Sequence, residues 1–181
     1  MNPSLKVLSI DPSTGFYRVQ RYPLGESFGP VDLGVHISSR HPSINFGVGL
    51  FAGSIFPGSN RLVVSGFSPC WRSFFVSSMG GAGLVFDDLG INLVSLVGKA
   101  PVPSVLILNR CHGEEIEVEI APIDLGRTWS SGRGGVYSVL DEVHARYRNR
   151  FQTDRASWPW APPQPRPISA PSCRRPSSTV R

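Results

Sequence analysis

In the stretch EEIEVEIAPI, residues 114–123, Ile116, Val118 and Ile120 alternate with Glu115, Glu117 and Glu119. Successive side chains of a strand point to opposite faces, so this alternation predicts a strand with one buried isoleucine face and one wet glutamate face. Shorter β-branched or aromatic runs, bounded by Gly, Pro and Ser, predict further strands at LKVLSID (4–10), GPVDLGVHI (29–37), RLVVSGF (61–67), SFFVSS (73–78), GINLVSLVG (90–98) and PSVLILN (103–109). FGVGLFAGSIF (46–56) is apolar and glycine-broken, with no helical period. One helix is predicted, at VLDEVHARYRNRF (139–151). Short strands at this spacing, separated by turns, predict an all-β fold, a compact sandwich or barrel.

Composition changes the picture at the C-terminus. Beyond Ala156 the chain is rich in Pro, Ser and Arg and lacks the apolar residues a core requires, so it is read as a disordered tail. The expected division is a β domain over 1–138, the helix over 139–151 and the tail over 152–181. Charge follows the same division. Residues 143–181 carry eight Arg against Asp154 alone, whereas residues 1–142 carry ten basic and twelve acidic side chains. A basic tail attracts nucleic acid or acidic partners; the plainer reading is a solvated segment. HARYRNRF (144–151) offers the same choice between phosphate contact with base stacking and a helix that packs Tyr147 and Phe151 inward. PPQPRP (162–167) suits polyproline II docking.

Other features exclude classes. No apolar run approaches the roughly 20 residues that cross a bilayer, and MNPSLKVLSIDPS has no secretory pattern. Cys70, Cys111 and Cys173 are widely spaced and odd in number, which argues against a disulfide framework and for a reducing, intracellular setting in cytoplasm or nucleus. The four histidines have no metal-ligand spacing, and Cys111-His112 are neighbours that a strand would point apart.

SSGRGGVYSV (130–139) holds the densest candidate chemistry. Gly132, Gly134 and Gly135 would let a phosphate approach the backbone, with Arg133 as its counter-charge and Tyr137 and Ser138 beside it; alternatively the stretch is a turn without ligand.

Five segments together resemble the trimeric dUTPase family. FGPVDLGV (28–35) is similar to that family's Ala-Gly-Tyr-Asp-Leu motif, and SIFPGSNRLVVSG (54–66) to the strand and Pro-Gly turn leading to Thr-Gly. GAGLVFDDLGINL (81–93) stands where Arg-Ser precedes a helical turn. HGEEIEVEIAPI (112–123) resembles the Asp-Arg-Ile-Ala-Gln strand, and LGRTWSSGRGGVYS (125–138) the glycine-rich closing motif. The resemblance implies a dUTPase-like distorted jelly-roll barrel with one short C-terminal helix, and a homotrimer. It places Asp32 at the aspartate that holds Mg2+ through water. Most of the family's other chemistry is missing. Ala82-Gly83 replaces the phosphate-clamping Arg-Ser, Lys99 and Val102 stand for the water-orienting Asp and the stacking Tyr, Glu115 replaces an arginine, and Ser131 and Val136 replace the closing Arg and Phe. The expectation is therefore an inert relative of the kind herpesviruses and adenoviruses encode, binding host or viral proteins through loops and tail, with no cofactor. The alternative is an active Mg2+-dependent dUTP diphosphatase that binds nucleotide through Asp32, Gly132, Arg133, Gly134, Gly135, Tyr137 and Ser138, with Asp87 or Asp88 as base. Asp87 and Asp88 read equally as a turn or helix cap.

Overall fold

The computed structural model describes residues 4–110 and 115–147. The tail, Cys111, His112, Glu114 and the end of the expected C-terminal helix lie outside the described residues. Strand β1 (Ser4–Asp11) turns back into β2 (Phe16–Pro23) in an antiparallel hairpin. The turn is built by Asp11, whose carboxylate accepts the Ser13 N–H (2.9 Å) and the hydroxyls of Ser13 and Thr14. Helix α1 (Pro30–Ser38) leads to a meander of β3 (Ser43–Gly47), β4 (Leu62–Ser68) and β5 (Ser73–Met79). After helix α2 (Gly83–Leu89), β6 (Leu93–Val97) enters between β1 and β3, parallel to the first and antiparallel to the second. The six-stranded sheet is thus mixed, in the order β2-β1-β6-β3-β4-β5. Strands β7 (Ser104–Arg110) and β8 (Ile116–Pro122) form a separate antiparallel ribbon, followed by α3 (Leu125–Trp129) and α4 (Val136–Tyr147).

The two faces of β1 define the layers. Leu5 and Val7 pack under α1 with Leu33, Ile37 and Leu93. Leu8 and Ile10 point the other way, into a cluster with Ile91, Val94 and Ile116 that takes in Phe86 and Leu89 of α2 and Leu106 and Leu108 of β7. The ribbon's outer face, with Ile107 and Ala121, packs against Tyr147 and Val143 of α4. The apolar half of the alternation at 116–120 is realised, with Ile116, Val118 and Ile120 in the cluster against the sheet; the glutamate face expected to be wet is instead half-buried, because α4 packs on it at Ala121 and Glu119 accepts the Tyr147 hydroxyl at 2.9 Å.

The expected all-β jelly-roll barrel is overturned. No closed barrel forms among the described residues; a six-stranded mixed sheet is flanked by helices. The decisive difference is at 29–37. Val31, Leu33, Val35 and Ile37 alternate as in a strand, yet the buried set is Pro30, Leu33, Gly34 and Ile37, the three-and-four spacing of a helix face, with Val31 and Val35 exposed. Proline at the first helical position and Asp32 capping the first turn are the start signals that outweigh the alternation. Strand β2 leaves no mark in the apolar pattern because it is an edge strand: only Gln20 and Tyr22 are half-buried.

Burial, with the Glu119 carboxylate beside it, pushes the Tyr147 phenol up from its ordinary value. A group that holds its proton more tightly when folded adds stability that is complete below the unfolded-state value and drains away as pH rises through the folded one. Stability is expected to fall as pH climbs above about 10. Urea midpoints measured against pH should show that Tyr147→Phe lacks this part of the alkaline loss.

Candidate functional site

One end of the large sheet gathers most of the chain's glycine-rich loops. There β1 begins, β3 ends, β6 begins and α2 closes, around a cavity of about 180 Å³ lined by Lys6, Val48, Gly49, Asp87 and Asn92 among others. Asn92 ties three strands together. It exchanges backbone hydrogen bonds with Lys6 and Val48, each 2.9 Å, and its side-chain oxygen accepts the Lys6 N–H at the same distance. The long connection from β3 to β4 is held down by Asn60. The Asn60 side chain accepts the Gly53 N–H (2.7 Å), and its carbonyl accepts the Gly83 N–H (2.9 Å) at the start of α2. Gly53 adopts φ +78°, and a side-chain carbon there would lie 2.3 Å from the Asp87 carboxylate. Only glycine lets the loop pass that close. Gly49, Gly80 and Gly81, by contrast, face open space where a side chain would stand. A flat or anionic group could approach their backbone directly.

Exposed apolar side chains surround this end. Phe51 and Phe56 meet edge-on at 5.1 Å, and Ile55 is 97% exposed. At the other end of the sheet, on the face turned away from α1, Ile44 and Phe75 are exposed, and Trp71 in the β4–β5 turn stands edge-on to Phe75 at 5.7 Å.

The residues singled out by sequence fall on three separate elements. Asp32 is in the first turn of α1, where its carboxylate accepts the N–H groups of Phe28 and Gly29 (2.8 Å from the latter). Asp87 lines the cavity at the glycine-rich end, while Asp88 is exposed and its carbonyl accepts from Arg110 at 3.1 Å. Gly132, Arg133, Gly134 and Gly135 form the turn between α3 and α4, with all three glycines in the left-handed region, and Tyr137 and Ser138 stand in the first turn of α4. That turn is largely engaged with itself. Gly134 donates to the Ser138 hydroxyl (2.8 Å), Gly135 donates to the Trp129 carbonyl (2.8 Å), and Ser138 donates to the Ser131 carbonyl. Arg133 makes a two-point ion pair with Asp141 (2.9 and 2.6 Å) and lies 5.2 Å over the Tyr137 ring. Hydrogen bonding from Arg133 holds the Asp141 carboxyl below its ordinary value. Among the described residues no three His, Cys, Asp or Glu side chains converge to hold a metal ion. The glycine-rich end is not among the sites expected from sequence, although GVGLFAG, FPGSN and GGAG are its visible signal there.

Comparison with known proteins gives a consistent answer. The family model for aldehyde ferredoxin oxidoreductase, N-terminal domain, matches residues 27–155. Glyceraldehyde-3-phosphate:ferredoxin oxidoreductase of Pyrococcus furiosus is 42% identical over 99 residues, covering 52% of this chain and 15% of that protein. An uncharacterized protein of Methanocaldococcus jannaschii is 42% identical over 60 residues, 32% of this chain and 10% of its own length. The chain therefore spans well under a fifth of these relatives. The active-site complex BamBC of benzoyl coenzyme A reductase, solved with 1,5-dienoyl-CoA, superposes with a TM-score of 0.64 at 22% identity. The match covers 79% of this chain and 23% of that one, and it supports the fold alone. These matches overturn the dUTPase resemblance, and with it both the inert viral interaction protein and the dUTP diphosphatase.

Proposed function

The chain belongs to the family of aldehyde ferredoxin oxidoreductase N-terminal domains, and from that premise we propose that it serves as the N-terminal domain of an enzyme that oxidises an aldehyde and passes the electrons to ferredoxin. The observation that carries this reading is the family match across residues 27–155. The name of the Pyrococcus furiosus relative, which pairs an aldehyde with ferredoxin, supports it. In such a reaction water supplies an oxygen to the aldehyde carbon, the carboxylate and three protons leave, and two electrons pass to ferredoxin. The domain's own contribution, in this reading, is a rigid base. Asn60 and Asn92 fix the glycine-rich end, where open backbone at Gly49, Gly80 and Gly81 can meet a bound group. The exposed Phe51, Ile55 and Phe56 beside the glycine-rich end are the surface on which the remainder of such an enzyme would rest. We place this enzyme inside the cell, beside its electron carrier. No helix among the described residues is long and apolar enough to cross a membrane.

The test is aldehyde-dependent reduction of ferredoxin, or of a viologen dye in its place, by the gene product purified without oxygen in its natural full-length or complexed form. Reduction that needs the aldehyde is the expected result. A folded preparation that reduces neither acceptor with any of a range of aliphatic, aromatic and phosphorylated aldehydes would overturn the reading.

A further inference from the structure

At the opposite end of β1 and β6 from the glycine-rich loops, a hollow of about 310 Å³ opens between β2 and the C-terminal end of α1. The strand register builds its floor. Ser9 pairs with Arg18 and Val7 with Gln20, so these side chains share the face that carries α1. One wall is Tyr22, whose ring meets His36 of α1 edge-on at 6.0 Å and 80°. Arg40 and His41, just past the helix, complete the rim. Arg18, His36, Arg40 and His41 thus line one concavity.

The carboxylate of Asp11, the one acidic side chain lining this hollow, is already occupied by the turn: it accepts from Ser13 and Thr14, and those hydrogen bonds hold its carboxyl below the ordinary value. Neither Arg18 nor Arg40 forms an ion pair or a side-chain hydrogen bond among the described residues. Like charges gathered in a hollow repel one another, and an anion seated between them removes that cost. Guanidinium groups take phosphate or carboxylate oxygens two at a time. The C-terminal end of α1 acts against an anion and in favour of the cations. Binding therefore has to come from Arg18 and Arg40, while the Tyr22–His36 wall offers an apolar, aromatic surface. The volume is at the lower end of the roughly 300–1,000 Å³ usual for small-molecule sites.

We propose that this hollow binds a small organic anion, a phosphate monoester or a carboxylate, whose apolar part lies against Tyr22 and His36. It is a site separate from the glycine-rich end and does not depend on the aldehyde reaction. Calorimetric titration of the full-length protein with phenyl phosphate, benzoate and polyglutamate tests it. One or both small anions should bind with Kd below about 1 mM, and the stronger of the two identifies the oxyanion. Arg18→Gln and Arg40→Gln should each weaken binding, and the double variant should weaken it ~10-fold or more. Both arginines are exposed, so the variants should keep the wild-type circular dichroism and melting temperature; if the double variant does not, the single variants decide. Absence of small-anion binding to the wild type, or binding undiminished in folded variants, overturns the proposal. Polyglutamate binding without either small anion also overturns it and makes the hollow a docking surface for an acidic protein.

Discussion

Leu33→Ala is expected to lower the stability of the domain by about 2–5 kcal/mol, with an unchanged denaturant slope. Leu33 is fully buried and is the side chain by which α1 enters the cluster of Leu5, Val7, Ile37 and Leu93 on the sheet. Truncation removes its transfer energy and leaves a void that a sheet on one side and a helix on the other cannot close. Domains of this kind are stable by only about 5–15 kcal/mol in all, so one substitution would consume a large part of that margin. Urea unfolding is the measurement. Leu33→Met, which conserves volume, should cost under ~1.5 kcal/mol. Equal effects for the two substitutions would mean that α1 does not rest on the sheet through this residue.

Gly47→Ala should be the second severe change, by overfilling rather than emptying. A methyl group there would stand 2.6 Å from the Leu93 side chain, 2.6 Å from the Pro30 ring and 2.8 Å from the Asn92 carbonyl oxygen. Three elements converge at this point, namely the end of β3, the start of β6 and the first turn of α1. One obstacle is backbone, which cannot swing aside as a side-chain tip can. The expected loss is about 1–3 kcal/mol, read as a fall in melting temperature of ~4–8 °C per kcal/mol for the smallest domains and about half that for larger ones. Gly49→Ala is the matched comparison. It lies two residues on, with nothing within 4 Å of the added carbon, and should melt close to the parent protein. Similar melting temperatures for the two variants would show that β3 and β6 do not meet α1 this closely.

Where apolar and charged residues alternate along a strand, the face that meets the sheet is legible in the sequence. The alternation assigns Ile116, Val118 and Ile120 to a buried side, and they occupy it. The strands at 61–67 and 73–78 also stand where the β-branched runs predict them, as β4 and β5. Period alone fails at α1, because four apolar residues two apart also satisfy part of a helical face, and local capping at Gly29-Pro30-Asp32 decides the outcome. It fails again at β2, whose residues face mostly solvent and carry no apolar stripe to read. The family likeness drawn from motif order is wrong for a related reason. Glycine turns between short apolar runs recur in many folds, and their order is weak evidence when the charged residues that do the chemistry are absent. The glycine-rich segments are visible in the sequence, but their assembly at one end is not. Asn60, Gly53, Gly83 and Asp87 are spread along the chain, and only folding makes them neighbours.

The position of β6 governs how the chain reaches its folded state. Hairpin β1–β2 and meander β3–β4–β5 are each made of neighbours in sequence, and β6 is the strip that joins them, pairing Val7 with Leu93 on one side and Asn45 with Ser95 on the other. Until residue 97 has left the ribosome, the two halves have no shared strand and their inner edges stay open. Such long-range closure pays its entropy before any contact rewards it. Refolding should therefore be slow for a domain of this size, and the open edges are where nascent chains would stick to one another. A chain ending before Leu93 should accumulate as aggregate, while one that includes β6 gives the two halves the strand that unites them.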